Sequence, residues 1–215
     1  MIEAIEDWEA WQRYPQHRWI FDKLSLAVCL GHCAGPTPLP VPRTGEYVVR
    51  PIYNLSGMAI GAKIMTLEKG RVYDFPPSYF WCERFVGDHL SVNYEWQGKD
   101  IVETHTSVGE TDYDNLSRFK SWTRIENRNI PLPDWIEEFS DVGEMNIEFV
   151  DNHIIEIHLR PGVDFPDGAS KIIPVWSTTP QQEIDSLLSQ GYSYKENYMD
   201  AEKNIPDPRQ GFLYK

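Results

Sequence analysis

The sequence predicts an α+β protein whose strands pair antiparallel. Three observations carry that expectation: apolar residues at helical spacing near the N-terminus, β-prone runs bounded by glycine and proline between residues 45 and 96, and a hairpin pattern over 143–161. With 215 residues, 41% of them hydrophobic, including 8 Trp, 11 Tyr and 9 Phe, the chain can bury a sizeable core as one large domain or two small lobes.

Ile2, Ile5, Trp8 and Trp11 recur every three residues, predicting a packing helix that Tyr14-Pro15 ends. Trp19 to Leu30 reads as a second helix capped by Asp22, with Leu24, Ala27, Val28 and Leu30 on its buried side and Gly31 as its stop. Four prolines between Ala34 and Pro42 make a stiff extended connector. Gly45 to Pro51 is a short strand. Gly57 and Gly61 then bracket a loop before Ile64–Leu67, a hairpin whose tip has backbone N–H groups able to fold over phosphate, or a plain turn. Tyr79–Val86 is strongly β-prone with one acid inside, and His89–Trp96 alternates as a strand. Residues 98–130 read as polar and irregular, and 130–139 as a short helix. After Pro161 the chain is loop-like to Gly168. Lys171–Trp176 reads as an edge strand, Thr179-Pro180 opens a helix that Gly191 ends, and the remaining tail is polar and expected to be mobile.

The hairpin is the most informative stretch. A three-residue turn at Asp151-Asn152-His153 pairs Val150 with Ile154, Phe149 with Ile155, Glu148 with Glu156, Ile147 with Ile157, Asn146 with His158, Met145 with Leu159 and Glu144 with Arg160. Phe149, Ile155, Ile147, Ile157, Met145 and Leu159 then share an apolar face. Glu148, Glu156, Asn146, His158, Glu144 and Arg160 share the other. Two glutamates directly opposed repel unless a cation lies between them, and a divalent ion with oxygen ligands suits the pair. A solvated face with the repulsion screened is the plainer alternative. A two-residue turn would break the pairing.

A net charge of −13 repels polyanions, and no basic run appears, so nucleic acid is not an expected partner. No stretch suits a membrane span, and the acidic N-terminus lacks the layout of a signal peptide. Three cysteines argue against a disulfide framework, and a cytoplasmic location is expected.

The order of these segments resembles the ATP-grasp family over roughly residues 20–161. Phe21-Asp-Lys-Leu-Ser-Leu-Ala27 with Gly35-Pro-Thr-Pro38 is similar to the family's "D-K…A…G-x-P-x-P" segment. Val48-Val-Arg-Pro-Ile52 with Gly57 and Gly61 resembles its "V-V-K-P…G-x-G" strand and phosphate loop. Cys82-Glu-Arg-Phe-Val-Gly87 resembles its "E-x-(Y/F)-(I/V)-x-G" hinge, and Asn146–Phe149 with Ile155–Arg160 its two metal-binding strands, "E-F…I-E-x-N-x-R". The resemblance implies a compact ATP-grasp-like fold, two α+β lobes with antiparallel sheets around a nucleotide cleft: a helix over 1–16, a small lobe over 17–86, a large lobe over 87–177 and a C-terminal helix and tail over 178–215. Because only about twenty residues precede the first motif, the family's N-terminal substrate domain is expected to be absent.

The resemblance further implies ATP and Mg2+, with Mn2+ as an option, and a ligase that activates a small-molecule or peptide carboxylate as an acyl phosphate for attack by an amine. Lys23 and Arg50 would hold phosphates under a lid formed by the backbone of Asn54–Gly61, which includes Ser56, Gly57, Met58 and Gly61. Glu83 and the main chain of Arg84 and Phe85 would meet adenine, and Asp88 or His89 would lie near ribose or phosphate. Glu148 and Glu156 would bind the metal with His158 beside them, and Arg160 would face an anionic substrate. Arg50 stands where the family has lysine and His158 where it has asparagine; an arginine fork is not a point charge, and imidazole is a poorer magnesium ligand than oxygen. These departures favour an alternative, a nucleotide-binding or interaction protein that kept the fold without turnover. A kinase-like phosphotransferase is a third reading.

Overall fold

The computed structural model describes residues 5–55, 59–162, 165–166, 168–196 and 208–215. Among these residues, two antiparallel sheets, one of four strands and one of eight, organise the fold. Among the described residues no helix is long and apolar enough to cross a membrane.

Helix α1 spans Asp7–Arg13 and opens with a reciprocal cap in which the Glu6 N–H donates to the Glu9 carboxylate at 2.7 Å. The helix predicted over 19–30 is divided. A 3-10 turn covers Pro15–Phe21, and α2 covers Lys23–Cys29 with the Asp22 carboxylate accepting from the Ser25 N–H at 2.8 Å. Asp22 caps as predicted, yet the buried stripe is Lys23, Leu26 and Ala27, and Val28 is 58% exposed. Starting the helix after Asp22 rotates the stripe relative to a helix begun at Trp19.

Strands β1 (Ala34–Pro36), β2 (Gly45–Pro51), β3 (Lys63–Leu67) and β4 (Tyr79–Glu83) form the small sheet in the order β1-β4-β2-β3. Residues 84–88 lead from β4 into the large sheet: β5 (His89–Gln97), β6 (Asp100–Thr111), β7 (Phe119–Ile125), β8 (Glu144–Val150), β9 (His153–His158), β10 (Lys171–Trp176), β11 (Ser193–Glu196) and β12 (Arg209–Tyr214). Its order is β11-β12-β10-β7-β6-β5-β8-β9. A short 3-10 helix, Asp134–Phe139, precedes β8, and α3, Gln181–Ser189, precedes β11.

Three expectations are corrected here. Residues 98–130 hold two strands, because the buried positions of β6 and β7 include Thr106, Ser107 and Ser121, which conceal the apolar alternation of a strand. Strand β10 lies between β7 and β12 rather than at an edge. The expected mobile tail ends in β12, where Phe212 and Leu213 are buried, while residues 197–207 of that tail lie outside the described residues.

The hairpin reaches the predicted Glu148–Glu156 pairing by another route. The turn has two residues, Asp151 and Asn152, both at positive φ (48° and 65°), and Val150 pairs with His153. An irregularity beyond Phe149–Ile154 inserts Ile155 as an extra residue and restores Glu148↔Glu156, Ile147↔Ile157 and Asn146↔His158. Ile154 is therefore in the core in place of Ile155. The back of β5, β8 and β9 (Val92, Ile147, Phe149, Ile157) packs on Ala10, Ile20, Phe21, Leu26 and Phe139. That leaves the other face for a cavity.

Candidate functional site

A cavity of about 280 Å³ lies between the sheets. Val48 and Arg50 of β2 and Ile64 of β3 line one side. Arg84, Phe85 and Gly87 of the connection line another, and the exposed face of the large sheet forms the floor. A Cβ on Gly87 would lie 2.5 Å from the Asp151 Cβ, so glycine lets the connection pass against the hairpin turn.

Charged groups converge at one end. The Glu156 carboxylate accepts from Lys23 Nζ at 2.8 Å and from the Arg50 guanidinium at 2.7 Å. Arg50 also donates to the Ile155 carbonyl at 2.9 Å, an oxygen that the hairpin irregularity presents. Glu148 lies 3.2 Å from His89 Nε2. His158 Nε2 lies 3.6 Å from Glu156 and 3.8 Å from Glu148. Its Nδ1 is 3.0 Å from both oxygens of Asp7, and Arg160 Nε donates to Asp7 at 2.8 Å.

The opposed glutamates thus have cations around them, and these belong to the protein. Burial acts against the charge on His158, but Asp7 and, further off, the Glu148 carboxylate outweigh it and push the ring up to about 9. Burial likewise raises Glu148 and Glu156. The two histidines outweigh it at Glu148, and Lys23 and Arg50 at Glu156, so both carboxyls lie below their usual range. Asp7, also against its burial, is held low by His158 and Arg160.

The sequence marks Asp7 only as part of a packing helix. It is 2% exposed and reaches across 151 positions to His158. Nothing local distinguishes it from its acidic neighbours Glu6 and Glu9. Its depth comes from its place at the start of α1, where its carboxylate meets His158 and Arg160.

Not every expected site residue joins this end. The Glu83 carboxylate accepts from the Cys33 N–H and from Arg43, both at 2.7 Å, and does not line the cavity. Asp88 pairs with Arg128 at 3.3 Å and lies outside it too. Arg84 and Phe85 do line it; Arg84 pairs with Glu46 at 2.7 Å, and Phe85 stacks on His153 with ring centroids 4.1 Å apart. Ser56, Gly57 and Met58 lie outside the described residues. Gly61 has φ 83°, and a Cβ there would sit 2.5 Å from the Tyr79 hydroxyl, while Ala59 and Ala62 line the cavity.

Glu148, Glu156 and His158 each bring a ligand atom within 4.8 Å of one another. Two carboxylates and an imidazole whose far nitrogen rests on an acid form a donor set that fits a divalent cation. Oxygen donors suit Mg2+, and the added nitrogen widens the choice toward Mn2+. Ligation by His158 requires loss of its Nε2 proton.

No family profile matches the sequence, and neither does any curated protein. Among solved structures, the chain is similar to N5-carboxyaminoimidazole synthetase from Staphylococcus aureus complexed with ADP. Identity is 11% and the TM-score 0.57, over 94% of this chain and 68% of that one. It is also similar to N5-carboxyaminoimidazole synthase from Aspergillus clavatus, solved with ADP and 5-aminoimidazole ribonucleotide. There identity is 12% and the TM-score 0.54, over 100% of this chain and 75% of that one. At such identities the likeness concerns architecture alone, and the architecture is the ATP-grasp fold.

Proposed function

We propose that the chain is an ATP- and divalent-cation-dependent ligase that activates a carboxylate as an acyl phosphate for attack by an amine. One observation carries this reading: two facing glutamates, a lysine, an arginine and a histidine converge at 2.7 to 3.8 Å in the cleft of an ATP-grasp fold. The nucleotides in the two similar structures agree with it.

In this account Val48, Ile64 and Ile155 provide an apolar slot beside the main chain of Arg84 and Phe85 for the base. Lys23 and Arg50, which neutralise Glu156 in the free protein, turn to phosphate oxygens as the nucleotide enters. Glu148 and Glu156, with His158, would hold the cation, which would supply positive charge beside the transferring phosphoryl group. The substrate carboxylate oxygen forms a bond to the γ-phosphorus, and the bond from that phosphorus to the β–γ bridging oxygen breaks, releasing ADP. An amine then attacks the acyl carbon, phosphate leaves and the amine loses a proton. Asp7 acts through others: it fixes His158 with Nε2 toward the glutamates and holds Arg160 beside the acid. Ala59 and Ala62 flank Gly61 where the loop faces the cleft, placing that loop to exclude water from the acyl phosphate.

Carboxylate-dependent ADP release, with hydroxylamine trapping the acyl group, tests the proposal. Turnover present in the wild type and lost in Glu156→Gln supports it; no ADP release with any carboxylate sinks it. ADP release without a trapped acyl group indicates a phosphotransferase. A second reading, nucleotide binding without turnover, draws on the Glu156 oxygens, both already held by protein cations. Stabilisation by ATP with no ADP release would select it.

A further inference from the structure

The cavity floor changes chemistry along the large sheet. In one row Glu156 pairs with Glu148, Glu148 with Ser91 and Ser91 with Ser107. In the next, Val150 pairs with His89, His89 with Gly109 and Gly109 with Trp122. Along the first row charge gives way to serines on β5 and β6; along the second, His89, which reaches Glu148 at 3.2 Å, sets its ring edge-on against Phe119 and Trp122 of β7 at 4.8 and 5.7 Å, and Trp176 of β10 lies beyond. Three strand spacings separate β8 from β7, about 14 Å at ~4.8 Å each.

The far end has its own construction. Phe119 and Trp122 lie with ring centroids 4.3 Å apart. A Cβ on Gly109 would fall 2.7 Å from Phe119 and 2.9 Å from Trp122, so the bare glycine lets both rings rest on β6. Phe165 packs on His105 at 4.7 Å, and the Arg118 guanidinium lies 5.5 Å from the Trp176 ring centroid. Among the described residues, the buried Nε2 of His105 has no hydrogen-bond partner. Trp122 belongs to a small core with Ile172 and Phe212, whereas Phe119, Phe165 and Trp176 are only half-buried and line the cavity. Half-buried rings facing a concave space suit a planar apolar group, which gains by stacking as well as by leaving water.

We infer that this end is the subsite for the acid substrate, and that the carboxylate activated at the charged end carries an aromatic ring. The inference rests on the ligase reading for which group reacts, and on the floor geometry for where the ring lies. A carboxylate beside a phosphate at Glu148 stands over β5, one to two strand spacings, about 5–10 Å, from Gly109 and Trp122. That matches an aryl group one to three bonds from its carboxyl, the size of a single aromatic amino acid. An aliphatic acid of the same length would leave the rings in contact with water.

The test is calorimetric titration of the whole chain with 3-phenylpropanoate and with butanoate, alone and with a non-hydrolysable ATP analogue and Mg2+. The aromatic acid is expected to bind at least tenfold more tightly in one or both conditions. Phe119→Leu combined with Trp176→Leu is expected to remove that preference while leaving stabilisation by ATP with Mg2+ unchanged. Equal affinity for the two acids, binding of neither, or a preference that survives the double substitution would overturn the inference. Should the double variant unfold, the wild-type ratio alone decides. Failure of the nucleotide reading shows separately, as an absent ATP effect in the wild type.

Discussion

The two ends of the cavity are built on opposite principles. At the charged end Asp7, Lys23, Arg50 and His158 are each less than a tenth exposed, and each is committed to a partner of opposite sign. At the aromatic end Phe119, Phe165 and Trp176 are half-open, and Phe119 rests with the buried Trp122 on the bare Gly109. The first end is electrostatically closed in the free protein, so a ligand there must exchange partners. The second lies open to the cavity, so a ligand there adds contacts. Substitution should separate the two: changes at the charged end cost folding free energy as well as nucleotide, and changes at the aromatic end cost the acid ligand alone.

The largest effect is expected from Asp7→Ala. It leaves a buried imidazolium and a part-buried Arg160 without their shared carboxylate, a loss of about 3–5 kcal/mol, read as a fall in denaturant midpoint. A change below about 1 kcal/mol would mean that α1 merely packs.

The pH profile comes next. A group raised in the folded state contributes stability that is full below its unfolded value and fades as pH rises through the folded one. His158, ordinarily near 6.5 and here about 9, therefore stabilises the fold below pH 6.5 and loses that contribution by about pH 9. The loss is about 3 kcal/mol. Asp7 and Glu148 lie below their usual range, so their contributions are present above it and vanish on acidification. Stability should fall by roughly one proton's slope between pH 6.5 and 9 in the wild type, and stay level there in His158→Gln.

Lys23→Met sharpens the comparison by its smaller cost. Glu156 keeps Arg50 at 2.7 Å, so about 1–2 kcal/mol is expected, less than for Asp7→Ala. A loss as large as that of Asp7→Ala would show that the two cations act as one unit. Smallest is Trp176→Leu, within about 1 kcal/mol, because the ring is only half-buried. A cost above 2 kcal/mol would place that ring in the core and weaken the contrast.

What the sequence made legible follows the same division. The facing glutamates were visible because the alternation on either side of Asp151-Asn152 is local, and their pairing survived a wrong turn length because Ile155 was the compensating extra residue. Lys23 and Arg50 were found through motif order, and both meet Glu156. Strands β6 and β7 were missed because buried serine and threonine break the periodicity that marks a strand. With them went the aromatic floor, whose members Gly109, Phe119 and Trp122 come together only through strand pairing. Asp7 was unreadable for a related reason, since its partner is 151 positions away.

On the proposed reading, ATP and a divalent cation bind where Lys23, Arg50, Glu148 and Glu156 meet. Thermal unfolding of the chain at millimolar ATP, with and without Mg2+ or Mn2+, tests it most directly. Stabilisation of about 2–3 kcal/mol is expected with nucleotide and cation together, as for a ligand at roughly a hundredfold its Kd, and it should disappear in Arg50→Met. An unchanged midpoint with ATP and either cation would contradict the account.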